Sequence, residues 1–419
     1  MLNLKNNKFR KIGILGITLI FGSICFINTP AVSNASAQSV LGIAKGGTNA
    51  NTVIGAQQNL GITNTVDAKS TNNQFPSSKA VYDYINFGSI DKITIGGGEG
   101  SVAQCLVSTN CLEKKNWKQG VIDTTQNWWT IQYQKENSKY FMTGPTGGLV
   151  TGCSNSLDCS DAANWSTPKS VPGIYGAYMP TVSYGNSKFI AVGSQTITGC
   201  DANLDCSDAN NWAPQTKLSG IDDQMIGSAY GDGYFIVDGR KSKVTGCLAS
   251  TDCSINSNWS TAEDIPGAST TEYRGIAFGE GKFVATGYRS FAQCLSANDC
   301  RLGSSWKTAY MDAYFGGWKI AYSGGQFVGV GGYSTTGYIW RCQASTDCSE
   351  TSNWTNITVA DNFFRYITVG GGNFIAGGQD GKIYQCSQNL NCGQAASWKT
   401  IDQSLGIDIY SITYGSNLN

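Results

Sequence analysis

Fourteen of the 15 cysteines stand in pairs, with five residues between the two members of every pair. The pairs are Cys105 with Cys111, Cys153 with Cys159, Cys200 with Cys206, Cys247 with Cys253, Cys294 with Cys300, Cys342 with Cys348, and Cys386 with Cys392. Paired thiolates can hold a metal ion or oxidise to a disulfide. A structural zinc site needs four converging ligands, typically at C-x2-C spacing, which this pattern does not provide. We therefore predict seven disulfide bonds, each closing one short loop, and no metal site.

The chain of 419 residues contains no histidine. Ser-His-Asp and Cys-His nucleophile pairs are therefore excluded, and any general base would have to be Asp, Glu, Lys or Tyr. The formal net charge is zero, so the chain presents no basic field that would attract nucleic acid. These features favour a protein without catalytic residues, cofactor or nucleic-acid partner.

Two further motifs suggest chemistry that the repeats explain better. Residues 201–205, with Asp201 and Asp205 at the ends, mimic the start of a calcium loop but lack its Gly and its distal Glu. Asn-Trp-Ser/Thr sequons occur at Asn164, Asn258 and Asn353, where the repeat itself places Asn before Trp. We treat calcium binding and N-glycosylation as alternatives and not as predictions.

The cysteine pairs belong to a longer repeat. Each second Cys is followed six residues later by a tryptophan: Trp117, Trp165, Trp212, Trp259, Trp306, Trp354 and Trp398. Successive first cysteines are 48, 47, 47, 47, 48 and 44 residues apart. A period of this size indicates a propeller or an array of repeats. We expect the disulfides to brace each unit and the tryptophans to pack between units.

Each repeat reads as four short strands. In one copy these are residues 275–278, 282–286, 291–295 and 306–309, which are rich in apolar and β-branched residues and separated by Gly-containing turns. No segment of the repeats has the apolar periodicity of a capped helix, so helix should be nearly absent. Seven copies of a four-stranded sheet predict an all-β, seven-bladed β-propeller with one disulfide per blade.

The two ends of the repeat region indicate that the ring is closed by pairing of N- and C-terminal strands. An aromatic residue opens the second strand in only six copies, at Phe141, Phe189, Phe235, Phe283, Phe327 and Phe374. Lys92-Ile93 fills the seventh place, but no first strand precedes it. Residues 411–415, close to the C-terminus, match a first strand. One blade is thus expected to combine both ends, which removes the exposed edges of an open array.

The N-terminus resembles a secretory signal. Four basic residues precede an apolar run at 12–27, and Ala35-Ser36-Ala37 supplies the small residues of a cleavage site. We predict a signal peptide at 1–37, with an uncleaved anchor as the alternative, and no later membrane span. Removal of the signal leaves 25 basic and 29 acidic residues. The mature chain is expected to be secreted, to the periplasm, the cell surface or the medium.

Residues 38–90 form a separate module without Trp or Cys. Two stretches in it, residues 41–48 continuing to 59–61 and residues 76–85, resemble connecting segments of bacteriophage tail fibres. In that family such segments join a shaft to receptor-binding modules, which implies a display role and a possible homo-oligomer through 38–90. The alternative is a flexible spacer followed by one short helix at 77–85.

Residues 91–419 resemble the BNR (Asp-box) propeller proteins. The resemblance lies in the segment from the third to the fourth strand, as in residues 250–259, although the Gly position of the Asp-box differs. That superfamily includes sialidases, assembly factors and lectin-like proteins, so the resemblance implies fold more than activity. A sialidase-like or other glycosidase is the alternative function. It would need an Arg cluster, a Tyr activated by Glu, and an Asp acid.

The connections that lead into first strands, and those between second and third strands, vary between repeats and concentrate aromatics. In a propeller these connections open at one end. The candidate ligand-binding residues there are Trp128, Trp129, Tyr175, Tyr178, Tyr273, Arg274, Tyr288, Arg289, Tyr314, Phe315, Tyr333, Phe364, Arg365 and Tyr410. Some of these rings should only fill the channel. We expect the others to bind a glycan or a cell-surface protein, as in an adhesion protein.

Overall fold

The computed structural model describes residues 91–144, 148–172, 181–267, 272–311, 316–359 and 362–416. Twenty-eight strands in these segments form seven four-stranded antiparallel sheets. Each sheet is one blade of a β-propeller, and the predicted fold is confirmed. The predicted signal peptide at 1–37 and the connecting segment at 38–90 lie outside the described residues.

The blades are numbered in chain order, and strands are given from the inner to the outer edge. Blade 1 contains β28 (Ile409–Gly415), β1 (Lys92–Gly97), β2 (Ser101–Leu106) and β3 (Trp117–Val121). Blade 2 contains β4 (Thr130–Gln134), β5 (Lys139–Thr143), β6 (Leu149–Ser154) and β7 (Lys169–Ser170). Blade 3 contains β8 (Thr181–Gly185), β9 (Lys188–Val192), β10 (Thr196–Asp201) and β11 (Thr216–Lys217).

The remaining four blades follow the same order. Blade 4 contains β12 (Met225–Gly231), β13 (Tyr234–Gly239), β14 (Lys243–Leu248) and β15 (Glu263–Asp264). Blade 5 contains β16 (Tyr273–Gly279), β17 (Lys282–Gly287), β18 (Ser290–Leu295) and β19 (Lys307–Tyr310). Blade 6 contains β20 (Gly316–Ser323), β21 (Gln326–Tyr333), β22 (Thr336–Gln343) and β23 (Trp354–Val359). Blade 7 contains β24 (Phe364–Gly370), β25 (Asn373–Gly378), β26 (Ile383–Ser387) and β27 (Trp398–Thr400).

Helix in the described residues is limited to three-residue 3-10 turns, as the sequence predicts. Seven of them lie just before the repeated tryptophans: Lys114–Asn116, Ala162–Asn164, Ala209–Asn211, Asn256–Asn258, Gly303–Ser305, Thr351–Asn353 and Ala395–Ser397. Three more join second to third strands: Gly98–Gly100, Arg240–Ser242 and Gln379–Gly381. None of the helices in the described part of the chain is long and apolar enough to cross a membrane.

The ring closes as the repeat pattern predicts. The C-terminal strand β28 pairs antiparallel with β1, with Ile412 opposite Ile95 and Tyr414 opposite Ile93. The Tyr414 hydroxyl also donates a hydrogen bond to the Asp91 carboxylate. The inner edge of blade 1 is therefore covered by the end of the chain, and the neighbouring inner strands β24 and β4 pack on either side of β28.

All seven predicted disulfides are present, each within one blade. The bonded pairs, from blade 1 to blade 7, are Cys105 with Cys111, Cys153 with Cys159, Cys200 with Cys206, Cys247 with Cys253, Cys294 with Cys300, Cys342 with Cys348, and Cys386 with Cys392. Each bridge joins the end of a third strand to the loop that leads to the fourth strand. These cysteines therefore crosslink the framework, and the structure gives them no part in a binding surface.

The repeated tryptophan connects each disulfide loop to the core. In every blade its indole N–H donates to the carbonyl oxygen of the second Cys, over 2.7–2.9 Å. The indoles also join the apolar clusters between blades. For example, Trp259 packs with Ile190 of blade 3 and Phe235 of blade 4. One Trp thus stabilises both its own turn and an interface between blades.

Close packing of neighbouring blades explains the glycine that ends most inner strands. A Cβ on Gly231 of blade 4 would lie 2.0 Å from Cγ of Phe278 in blade 5. The same contact recurs between Gly185 of blade 3 and the ring of Tyr230 in blade 4. A side chain at these positions would force the blades apart, because well-packed interiors tolerate little added volume.

Candidate functional site

The propeller has two different ends. The turns between first and second strands, and the disulfide loops between third and fourth strands, lie at one end, which we call the disulfide face. The connections into each first strand, and the turns between second and third strands, lie at the opposite end, which we call the mouth face. This arrangement follows from four antiparallel strands per blade. The predicted ligand-binding residues therefore belong to the mouth face.

Inner strands of five blades contain a β-bulge at the same position. In blade 5, Tyr273 pairs with Gly287 and Gly275 pairs with Thr286, so that Arg274 between them has no opposite residue. The residues left unpaired by the five bulges are Ile226, Arg274, Trp318, Arg365 and Tyr410. A bulge bends the strand and changes the direction of the extra side chain. Four of these five side chains are partly exposed at the mouth, whereas Ile226 is buried.

Trp129 takes the corresponding position in blade 2. It directly precedes Thr130, the first paired residue of β4. Each of these side chains stands four residues before the last aromatic or apolar residue of its inner strand, such as Tyr133 after Trp129 and Tyr414 after Tyr410. We call the six residues Ile226, Arg274, Trp318, Arg365, Tyr410 and Trp129 the mouth ring. The corresponding residue of blade 3 lies outside the described segments.

Members of the mouth ring from neighbouring blades contact one another. The Arg274 guanidinium lies 4.3 Å from the centroid of the Trp318 indole. The Arg365 guanidinium lies 5.8 Å from Trp318 and 4.7 Å from Tyr410. Tyr410 in turn meets Trp129, with 4.3 Å between ring centroids. Cations and aromatic rings therefore alternate from Arg274 in blade 5 to Tyr410 in blade 1, and the arc ends with the aromatic pair of Tyr410 and Trp129.

Carboxylates hold the arginines in place. Oε2 of Glu272 accepts hydrogen bonds from Nε and Nη2 of Arg274, over 2.8 and 2.6 Å. Oε1 of Glu272 lies 3.3 Å from Nε of Arg240, which comes from blade 4. Asp408 is more distant from Arg365, at 3.9 Å. Since these side chains are partly exposed, the ion pairs orient the guanidinium groups more than they stabilise the fold.

The structure places the predicted ligand residues in three groups. Those on the mouth face with partly exposed side chains are Trp129, Arg274, Tyr288, Arg289, Tyr333, Arg365 and Tyr410. Tyr333 is the most accessible, at 54% exposure. The guanidinium of Arg289 lies 5.0 Å from the ring of Tyr310. Four predicted residues lie outside the described segments: Tyr175, Tyr178, Tyr314 and Phe315.

Three predicted residues have buried side chains and need correction. Trp128, Tyr273 and Phe364 are each 0% exposed. Each comes just before a mouth-ring residue, so the alternation of strand side chains turns it between the blades. Their rings belong to the apolar clusters that join neighbouring blades. These three aromatics stabilise the propeller, and they are not part of the mouth ring.

Trp318 was not predicted from the sequence. It contacts Arg274 and Arg365 and so occupies the middle of the arc. The sequence did contain a signal for Trp318. When the inner strands are aligned on their final residues, Trp318 falls in the same column as Arg274 and Arg365. The acidic partner Glu272 had no comparable signal, since its role depends on side chains from two blades.

Ionisable side chains beside the mouth ring have shifted pKa values. Nζ of Lys319 in blade 6 donates to the carbonyl of Ile226 in blade 4, over 3.2 Å. Burial lowers the pKa of Lys319 to about 8 and raises the pKa of Asp238 to about 7. The charge of Lys319 and the N–H of Gly227 oppose the rise for Asp238. Burial also raises the pKa of the Tyr366 phenol to about 12.

The side chains that would bind calcium or carry a glycan already have partners within the protein. Asp201 accepts from the N–H of Asn203, and Asp205 forms an ion pair with Lys139. Among the described residues, no group of three or more His, Cys, Asp or Glu side chains could hold a metal ion. The sequon side chain of Asn258 donates to the carbonyl of Asp252 over 2.8 Å, and the other two sequons repeat this contact.

Comparisons with known proteins add little beyond the fold. No model of a known family matches the chain, and no curated protein matches its sequence. A chain of the mitotic checkpoint complex is 12% identical, with a TM-score of 0.48 over 68% of this chain and 80% of that chain. Apo AztD from Citrobacter koseri is 11% identical, with a TM-score of 0.46 over 79% and 100%. A chain of the nidogen/laminin complex is 7% identical, with a TM-score of 0.44 over 78% and 100%.

These likenesses are too distant to support an argument about ligand or activity. The assignment of the chain to the seven-bladed β-propellers therefore rests on its own seven sheets and their closure. Every blade also contains one disulfide, and disulfides of this kind are typical of proteins from oxidising compartments.

Proposed function

We propose that the protein is an exported, non-catalytic binding or adhesion protein, whose mouth face recognises a glycan or a cell-surface protein. The bulges carry this proposal. Five blades repeat the same bulge, yet the residue at the bulge varies among Ile, Arg, Trp and Tyr, unlike the repeated Cys and Trp. A device that stabilised the fold would keep one residue type. A repeated backbone device with varied side chains suits recognition.

The side chains at the mouth also suit binding. Arg365, Trp318 and Tyr410 combine hydrogen-bond donors with flat apolar faces, which are the groups most often found at binding hot spots. Their mutual contacts and the ion pair of Arg274 with Glu272 limit their freedom before a ligand arrives. A ligand would therefore meet a surface that loses little conformational entropy on binding.

The contacts of the carboxylates at the mouth support a binding function without catalysis. Glycosidases use a pair of carboxyl groups that flank the scissile bond and exchange protons with substrate. At this mouth, Glu272 already contacts Arg240 and Arg274, and Asp408 lies beside Arg365. These carboxylates position cations instead. A sialidase-like or other glycosidase activity is the alternative, and a panel of fluorogenic glycosides distinguishes the two.

Two features support export of the chain: the disulfide in every blade and the signal-like N-terminus. Local disulfides in every blade persist only where thiols are not kept reduced. The tail-fibre-like residues 38–90 would then display the propeller, with oligomerisation through that segment as part of the same proposal. The resemblance to BNR proteins adds the glycan to the ligand classes that we propose.

The test measures binding of the purified chain to immobilised glycans and to intact cells. We expect Trp318→Ala and Arg365→Ala to weaken binding at least about tenfold, while the melting temperature changes by only a few degrees. Tyr184→Ala is the control, since Tyr184 is an exposed aromatic on the disulfide face, and it should bind like the wild type. Unchanged binding by both mouth variants, or glycoside hydrolysis by the wild type, would overturn the proposal.

A further inference from the structure

The outer edges of the blades differ in charge. Each blade ends in a fourth strand, and six of the seven carry a charged residue: Lys118 in β3, Lys169 in β7, Lys217 in β11, Glu263 and Asp264 in β15, Lys307 in β19 and Lys399 in β27. The fourth strand of blade 6, β23, carries none. Charged residues on edge strands prevent unwanted pairing with other strands. This protection is therefore missing from one blade.

The uncharged strand is also the longest outer strand. β23 has six residues, whereas β7, β11 and β15 have two each. All six residues of β23 pair with β22, from Trp354 opposite Cys342 to Val359 opposite Gly337. Such a strand is about 20 Å long, which is typical of strands inside sheets. Within the described segments, the backbone of β23 bonds to β22 and, through the Trp354 N–H, to the Thr351 carbonyl of its own turn, but to no other strand.

The side chains of β23 fit a strand that continues into another sheet. Ile357 and Val359 pack on the apolar cluster between blades 6 and 7. On the other side of the strand, Asn356 and Thr358 are exposed. The strand is rich in β-branched residues, which pack well against a neighbouring strand. One side is thus anchored in the core while the outer edge presents backbone groups to a further strand.

We propose that β23 pairs antiparallel with β23 of a second copy of this chain, so that two propellers share one continuous sheet. The absence of charge on β23 suits pairing with a second copy of the same strand. In antiparallel pairing with itself, a charged strand places like charges near one another, as Lys118 of β3 would do. Only an uncharged outer strand avoids this repulsion. With a two-fold axis at Ile357, Asn356 faces Thr358 of the second copy, and Thr355 faces Val359.

This dimer would bring two copies of the proposed mouth face into one assembly. The pairing itself does not depend on the proposed mouth-face function.

The experiment uses the full chain with its disulfides intact and measures mass by light scattering and sedimentation. Two double variants are made, Asn356→Lys with Thr358→Lys and Asn356→Glu with Thr358→Glu. We expect each to have half the mass of the wild type, since like charges then face each other. An equimolar mixture of the two should regain the wild-type mass, because opposite charges meet in the mixed pair.

Thr400→Lys is the matched control. Thr400 is an exposed residue of the outer strand β27, and this variant should keep the wild-type mass. Melting temperatures of all variants should agree within a few degrees, because the altered side chains are exposed. A wild type with the same mass as the lysine variant overturns the proposal, whether both are monomers or both associate through residues 38–90.

Discussion

The ring of Trp129 lies against the ring of Tyr410, with 4.3 Å between centroids and 65° between planes. Tyr410 belongs to the C-terminal strand of blade 1, and Trp129 opens blade 2. The residue just before it, Trp128, is fully buried among Val102, Ile131 and other core residues. Adjacent tryptophans therefore serve different purposes, one at the mouth and one in the core.

The first prediction compares these two residues. Trp128→Ala should lower the free energy of unfolding by about 3–5 kcal/mol, because it leaves a large cavity between blades. Trp129→Ala loses the contact with Tyr410 and part of its burial, and should cost about 1–2 kcal/mol. Calorimetric melting of both variants checks the difference. Equal destabilisation would contradict the separate roles of the two indoles.

The second prediction concerns closure of the ring. A chain that ends at Ile407 lacks β28, which leaves β1 without its inner neighbour and removes buried Ile409 and Ile412. Loss of these two side chains alone should cost about 2–5 kcal/mol each. We expect a large fall in the melting temperature of the whole propeller. A chain that ends at Ser416 keeps β28 and serves as the control, and equal melting of the two truncations would refute this role.

The third prediction concerns one disulfide. Replacing Cys294 and Cys300 by Ala opens a seven-residue loop, which should lower the free energy of unfolding by about 2 kcal/mol on the loop-entropy estimate. The other bridges should remain local, because each closes within its own blade. Urea denaturation measures the cost, and mass mapping of the variant checks the pairing. Bridges between blades would be inconsistent with the structure.

The fourth prediction concerns pH. Burial raises the pKa of Asp238 to about 7, whereas an Asp in an unfolded chain has a pKa of about 3.9. The folded state therefore retains a proton that the unfolded state releases in this window. The resulting stabilisation is complete below pH ~4 and is lost as pH rises through about 7. Asp238→Asn, which cannot ionise, should lack this loss.

Urea denaturation at pH values of about 4.5, 6 and 7.5 tests this difference. The wild-type free energy of unfolding, relative to that of Asp238→Asn, should fall by up to about 1.4 kcal/mol per pH unit. Burial lowers the pKa of Lys319 to about 8. Lys319 therefore adds to the free energy of unfolding only as the pH rises above that value. Its contribution therefore lies mostly outside the window. Parallel pH profiles for the two proteins would show that Asp238 is ionised throughout.

Most of the architecture could be predicted from the sequence, because it depends on contacts within one repeat. The Cys spacing places both sulfurs of a pair at one turn, so Cys247 and Cys253 can bond without any information about other blades. Likewise, the first-strand pattern of 411–415 was recognisable because every copy uses it. Blade count, disulfides and closure were all local or repeated features, and the structure confirms them.

The candidate site was only partly predictable, because its geometry arises between blades. The mouth face and ring members such as Arg274, Arg365 and Tyr410 followed from the topology. In blade 2, nothing in the single repeat distinguished Trp129, which lies at the mouth, from the buried Trp128. The contact of Lys319 with a carbonyl two blades away was likewise invisible. The sequence by itself determined the repeated framework through local spacing, whereas only the closed ring decided which variable side chains meet, since those contacts join residues from different blades.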